Sequence, residues 1–123
     1  MNQFTVGDAR IHRVFEMSTP MPMSFFNIHD EILAENAHWL KPQWMDDDGH
    51  WEMVVQSFIA IVDDRVVVVD PCVGNGRSLP EFAEFDNLDT PFIERFAATG
   101  IRPEDDDVVF CTHLHSDHCG WNT

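Results

Sequence analysis

Positive charge is scarce in this chain. Seven lysines and arginines stand against 22 aspartates and glutamates in 123 residues, a formal net charge of −15. Nucleic-acid binding rests on neutralising phosphates with Lys and Arg, so the balance argues against a nucleic-acid partner. Cysteine is scarce too. There are three, an odd number with no framework spacing, so a disulfide scaffold is not implied. No apolar run approaches the roughly 18 residues that span a bilayer. The first residues, Met1-Asn2-Gln3-Phe4, lack the basic region and apolar core of a signal peptide. There is no internal repeat and no low-complexity segment. These absences point to a soluble protein of a reducing compartment, cytoplasmic by default, with no membrane partner.

What is present suits a packed core. Apolar residues make up 44% of the chain, with ten Phe and four Trp, so disorder is not expected. The length allows one domain or part of one.

The order of elements reads as strands followed by a βαβ-like passage. Residues 4–6 and 9–15 flank Gly7-Asp8 and predict an opening hairpin. Pro20 and Pro22 exclude helix over 18–22, which reads as a loop. Residues 30–37 predict a short helix with acids in its first turn, and Pro42 ends anything begun there. Residues 51–62 and 65–70 predict a second hairpin about Asp63-Asp64, its later strand buried on both faces. Thr90 is placed as the cap of a helix that Pro91 opens and Gly100 stops, with Phe92, Ile93 and Phe96 as its apolar face. A short buried strand then follows over 107–111.

That strand leads into Thr112-His113-Leu114-His115-Ser116-Asp117-His118-Cys119-Gly120. Three histidines and one aspartate fall within six positions, as H-x-H-x-D-H. Neutral imidazole and carboxylate are the ligands that zinc and similar divalent ions prefer. Side chains two apart in an extended chain point the same way. His113 and His115 can therefore grip one ion, while Asp117 and His118 serve a second. Gly120 permits a tight backbone path, read as the entry to a helix. Two blander readings stay open: a solvated polar loop, and a structural zinc site using Cys111 and Cys119. The cysteines are eight apart, which is unlike the short paired spacing of structural zinc. Cys111 reads as a small core residue and Cys119 as a buried free thiol. His12, His29, His38 and His50 are isolated and read as surface or packed residues. The acidic runs 46–48 and 104–107 read as solvated turns. Met17, Met21, Met23, Phe25 and Phe26 form a soft apolar stretch, read as core or as a contact between copies before a substrate wall.

His113-Leu114-His115-Ser116-Asp117-His118, with Thr112 and Gly120 beside it, resembles the signature of the metallo-β-lactamase-fold superfamily of metallohydrolases. Val66-Val67-Val68-Val69-Asp70 resembles that family's earlier motif, a buried strand ending in aspartate. The turn that follows, Pro71-Cys72-Val73-Gly74-Asn75-Gly76, departs from the common Asp-Thr-Gly form. Trp39-Leu40-Lys41-Pro42 and Gly120-Trp121-Asn122-Thr123 look like the lactonase-like branch.

The resemblance implies an α/β fold, the N-terminal half of an αββα sandwich. Residues 1–123 would be the first part of a single domain whose second half is absent. It implies two zinc ions, or other divalent metals, held in part by His113, His115, Asp117 and His118. Asp117 would also act in catalysis, and Asp70 would accept a hydrogen bond that orients a histidine. Two ions about 3.5–4 Å apart hold a bridging water and lower its pKa. The implied activity is hydrolysis of a small ester, lactone or related substrate by metal-bound hydroxide. The remaining ligands of the family lie later in sequence than this chain reaches. A catalytically inactive metal-binding or interaction fragment is therefore the alternative. Thioesterase, nuclease and iron redox relatives form a third class. Iron-using members tend to replace a motif histidine by a carboxylate, and none is replaced here. The partners implied are a small-molecule substrate and, for the full-length protein, a homodimer.

Overall fold

The computed structural model describes residues 2–122. Five strands form one mixed sheet in the order β1-β2-β3-β4-β5: Gln3–Val6, Ala9–Pro22, His50–Val62, Arg65–Val69 and Val108–Phe110. Two α-helices, α1 (Asp30–Leu40) and α2 (Phe92–Ala97), and two short 3₁₀ turns complete the elements. This is an α/β fold, as expected. The chain divides into two compact units, Met1–Met17 with Val55–Thr123, and Ser18–Val54.

In the first unit, β1 and β2 form the opening hairpin, with Val6 paired to Ala9 across Gly7-Asp8. β3 and β4 pair antiparallel about Asp63-Asp64, whose φ values of 49° and 60° make the left-handed two-residue turn that matches strand twist. β5 then pairs parallel to β4, with Val69 opposite Phe110. Asp107 fixes that register: its carboxylate accepts from Val66 N–H at 2.8 Å and pairs with Arg65 at 3.1 Å. The parallel pairing places the carboxyl ends of β4 and β5 side by side, where α/β proteins bind ligands.

Three expectations in this unit need correction. β4 and β5 are not buried on both faces. Only Val68 is fully buried in β4, and Val108, Val109 and Phe110 are all exposed. β5 is an outer strand of the five, so its apolar run covers nothing on its far side. Thr90 does not cap α2. Its N–H and hydroxyl both meet Asn75 Oδ1, and Pro91 stands at the cap position. Ile93 faces outward, while Phe92 and Phe96 are the buried pair of that helix.

In the second unit, Met23, Leu40 and Met45 form a small buried cluster, with Ile28, Leu33 and Trp51 packed against it. α1 runs three residues beyond the expected end at 37, and Leu40 is the residue this adds to the cluster. Lys41 then takes extended backbone, ψ 146°, as a residue before proline must. The supposed loop over 18–22 is the tail of β2. Proline excludes helix but not extended backbone, and Pro22 sits at φ −66°, ψ 142°. Of the soft apolar stretch, Met23 is core, whereas Phe25 and Phe26 are exposed and lie against Trp51. Asp46 closes a turn by accepting from His50 N–H at 2.7 Å, so that acidic run is a turn.

The second acidic run gives a pH prediction. Asp106 Oδ1 is buried without a hydrogen-bond partner among the described residues. Burial, then the charges of Asp105, Asp107 and Glu104, raise its pKa to about 6. A carboxyl whose folded pKa is raised loses stability as pH climbs from its ordinary value, 3.8, through about 6. Asp106→Asn is therefore expected to stabilise the chain by about 1 kcal/mol at pH 7.5, after allowance for solvent screening. At pH 3.5 the gain should vanish. Urea midpoints at the two pH values check this, and an equal effect at both would refute it.

Candidate metal centre

β4 ends in a sharp turn. Asp70 and Cys72 both adopt left-handed backbone, φ 52° and 46°, on either side of Pro71. Such φ values cost a non-glycine residue of order 1 kcal/mol each and persist only where neighbours enforce them. Here the neighbours are the residues after β5. Gly120 N–H donates to Cys72 O at 2.7 Å, and Trp121 N–H donates to Pro71 O at 2.8 Å. A Cβ on Gly120 would lie 1.7 Å from Val73 O. Only glycine permits this approach of backbone to backbone. Residues 112–121 are turns and bends, closed by the contact with the β4 turn.

Asp70 joins the two segments from below. Its carboxylate accepts from Thr112 N–H at 2.7 Å and from the Thr112 hydroxyl at 2.8 Å. It also lies 3.0 Å from His118 Nδ1. That contact is close but poorly aligned, since His118 Nδ1 has no well-formed hydrogen bond. Partial burial pushes the Asp70 carboxyl up, yet the Thr112 and His118 contacts outweigh it and hold the group below the usual carboxylate range. Thr112 Oγ1 in turn lies 3.0 Å from His113 Nδ1.

The motif side chains stand in two pairs. His113 Nε2 is 3.0 Å from His115 Nδ1, and His118 Nε2 is 3.2 Å from Asp117 Oδ2. The pairs adjoin, with the rings of His113 and His118 3.9 Å apart at their centroids. His113 and His115 are exposed, and Asp117 and His118 half-buried. No group of three or more His, Cys, Asp or Glu side chains suited to holding a metal occurs among the described residues. The donor types nonetheless suit a borderline divalent ion. Two ligands of a tetrahedral zinc with bonds of about 2.0 Å lie roughly 3.3 Å apart, near both of the separations found in the pairs. Each pair supplies two ligands, so the donors fit a metal in kind and spacing while leaving its shell open.

The cysteines do not form a cluster of their own. Cys72 is buried, and desolvation, then Glu16, Asp117 and Asp70, push its thiol well up. Cys111 is half-buried, less enclosed than a core residue. Cys119 is half-buried, and its thiol meets His115 O at 3.4 Å inside the motif loop.

Two residues outside the motif hold it in place. Glu16 on β2 is 2% exposed. Its carboxyl accepts from Val73 N–H at 2.7 Å, Gly74 N–H at 3.2 Å and Trp121 Nε1–H at 2.7 Å. Arg77 donates to Val73 O at 2.8 Å and to Ser116 O at 3.3 Å, again linking the two loops. Trp121 stacks on Phe92 of α2, 5.4 Å between centroids at 17°. A signal for Glu16 was present. It shares the parity of His12 and Val14, the buried face of β2, and an acid on such a face needs partners.

Residues 49–123 match the family model of the metallo-beta-lactamase superfamily. The chain belongs to that superfamily. Solved structures share the fold. One is AbOPH, a hydrolase in the beta lactamase superfamily, with TM-score 0.69 and 20% identity, covering 96% of this chain and 38% of that one. A probable metal-dependent hydrolase from Staphylococcus aureus gives TM-score 0.71 and 22% identity, covering 95% and 42%. AidC, a dizinc quorum-quenching lactonase in complex with a product, gives 0.66 and 17%, covering 96% and 37%. The chain thus spans about two fifths of the length of these structures. No curated protein matches it. Among the described residues, no helix is long and apolar enough to cross a membrane.

Proposed function

We propose that this protein is a metal-dependent hydrolase of a small ester or lactone, using zinc held in part by His113, His115, Asp117 and His118. The observation that carries the reading is the pairing of these side chains, at 3.0 and 3.2 Å, beside the carboxyl ends of two parallel strands. Zinc, when bound, supplies Lewis acidity and acidifies water. The chain's own residues do the rest. Asp70 anchors Thr112 and, through it, sets the His113 ring, and its contact at Nδ1 turns His118 Nε2 toward Asp117. Asp117 would accept a proton from, or orient, a water at the site. The net charge of −15 disfavours the nuclease branch, because a polyphosphate backbone would be repelled.

A second reading has its own support. That reading is a polypeptide that binds metal through the two pairs without turnover. Both readings share a first test. Calorimetry of the 123-residue chain is expected to show weak zinc uptake, since two ligands per ion leave each shell half empty. His113→Ala with His115→Ala should remove most of it, about tenfold or more in affinity. Unchanged uptake in the double variant would move the site elsewhere, with Cys72, Cys111 and Cys119 the first suspects. A lactone and aryl-ester panel with added zinc separates the two readings. No turnover is expected from the 123 residues alone. In a polypeptide extended to the length of the structural relatives, turnover is expected, and Asp117→Ala should lower it by orders of magnitude. An extended polypeptide that binds zinc yet turns over no ester or lactone would sink the hydrolase reading.

A further inference from the structure

Away from the motif, a cavity of about 490 Å³ opens between the β1–β2 hairpin and the end of α2. Its polar lining is Asn2, Gln3, His12, Arg13, Arg95 and Thr99, with no acidic residue in the wall. That is unexpected on a chain with three times as many acids as bases. Elsewhere Lys41, Arg65 and Arg102 each pair with a carboxylate, from Asp47, Asp107 and Asp105, while Arg10 and Arg77 form no ion pair among the described residues. Arg13 and Arg95 form no ion pair among the described residues. Arg95 Nη1 donates to the Phe15 and Glu16 carbonyls, and its guanidinium lies 5.2 Å from the centre of the Phe15 ring. Those two bonds hold it in place. Arg13 Nε is buried with no hydrogen-bond partner among the described residues. Arg13 as a whole is half-buried, so its outer guanidinium nitrogens rather than the enclosed Nε would meet a ligand. His12, 8% exposed, also lines this wall.

We infer that this cavity is a binding site for a small organic anion, one carrying a carboxylate or phosphate group that Arg13 and Arg95 would grip. Guanidinium is the side chain suited to this work, because its planar fork meets two oxygens of such a group at once. The volume lies in the range of small-molecule pockets and exceeds what a bare oxyanion fills. None of the motif residues lines it, so the site is separate from the metal centre and does not depend on the proposed hydrolysis. The cationic wall also offsets the general repulsion an anion meets on approaching so acidic a protein.

The test uses the 123-residue chain stripped of metal on a chelating resin, so that no bound ion can hold the anion. Inorganic phosphate and acetate are titrated separately, against chloride at matched ionic strength. Saturable binding of at least one is expected, with the thermal midpoint raised by about 4 °C at tenfold the Kd. The tighter of the two names the head group. Arg13→Gln should weaken that binding about tenfold or more, and Arg13→Lys should restore part of it. Non-saturable effects equal to those of chloride, or full affinity in Arg13→Gln, would overturn the site. Should Arg13→Gln not fold, amide shifts of the unmutated chain decide. Changes centred on His12, Arg13 and Thr99 support the site, and changes centred elsewhere reject it.

Discussion

Alanine at position 120 is expected to break the junction between the two motif loops, at a cost on the order of 3–5 kcal/mol. The added Cβ would sit 1.7 Å from Val73 O and 1.9 Å from Val73 C. Both are backbone atoms, so no side-chain rotation relieves the clash. The loops must part, and parting them breaks Gly120 N–H to Cys72 O and Trp121 N–H to Pro71 O. Gly74 marks the same crowding from the other side: a Cβ added there would lie 2.9 Å from Gly120 O, at φ +87°. Asp70 and Cys72 would also lose the contacts that enforce their left-handed backbone. Against a typical total of about 5–15 kcal/mol, such a loss leaves the chain marginal. Urea denaturation gives the stability change, and zinc calorimetry should show the affinity falling with it. A Gly120→Ala chain with an unchanged midpoint would mean that the loops do not meet as described.

The H-x-H-x-D-H motif was legible because its members are neighbours in sequence and their chemistry is unusual. The second hairpin and the place of Asp70 at the end of β4 were legible for a related reason. A run of four valines closing on a carboxylate reads the same in any register. What escaped the sequence were features set by distant pairing. Thr90 has good capping chemistry, yet Asn75, fifteen positions back, holds it. Prolines 20 and 22 look like loop residues until the rest of β2 is seen to carry them in extended backbone. β5 reads as a buried strand from its composition, but composition does not say what lies beyond an outer strand. Gly120 was noticed as a tight point, though the reason, a backbone 47 positions earlier, is invisible locally: Val73 to Gly120 is the contact. Glu16 is the clearest case. Its three donors lie 57, 58 and 105 residues away.

Glu16→Ala should be the most damaging change on β2. It leaves the Val73 and Gly74 N–H groups and the Trp121 indole N–H without their acceptor, in a region where Glu16 itself is 2% exposed. Each stranded buried donor costs about 1–3 kcal/mol, and removing a buried carboxyl side chain adds a cavity. A loss of about 3 kcal/mol or more is expected. Glu16→Gln separates the acceptor from mere volume. The amide fills the same space and keeps one oxygen, but its NH₂ would face N–H groups that need an acceptor. It should cost about 1–2 kcal/mol, between the native residue and alanine. Arg95, which donates to the Phe15 and Glu16 carbonyls, keeps that part of β2 in place in either variant. Two measurements bear on the role of the group beyond stability. Hydrogen exchange should quicken at Val73, Gly74 and Trp121 before it does at Val68 or Ile59 of the sheet. Trp121 fluorescence should change as the indole loses its partner and its stack on Phe92 loosens. Zinc affinity should then fall in Glu16→Gln although no proposed ligand has been touched, because the loop that carries His113 to His118 is closed at its far end by Trp121. A Glu16→Gln chain with native exchange at all three positions and native zinc affinity would show that β2 does not govern the motif loop.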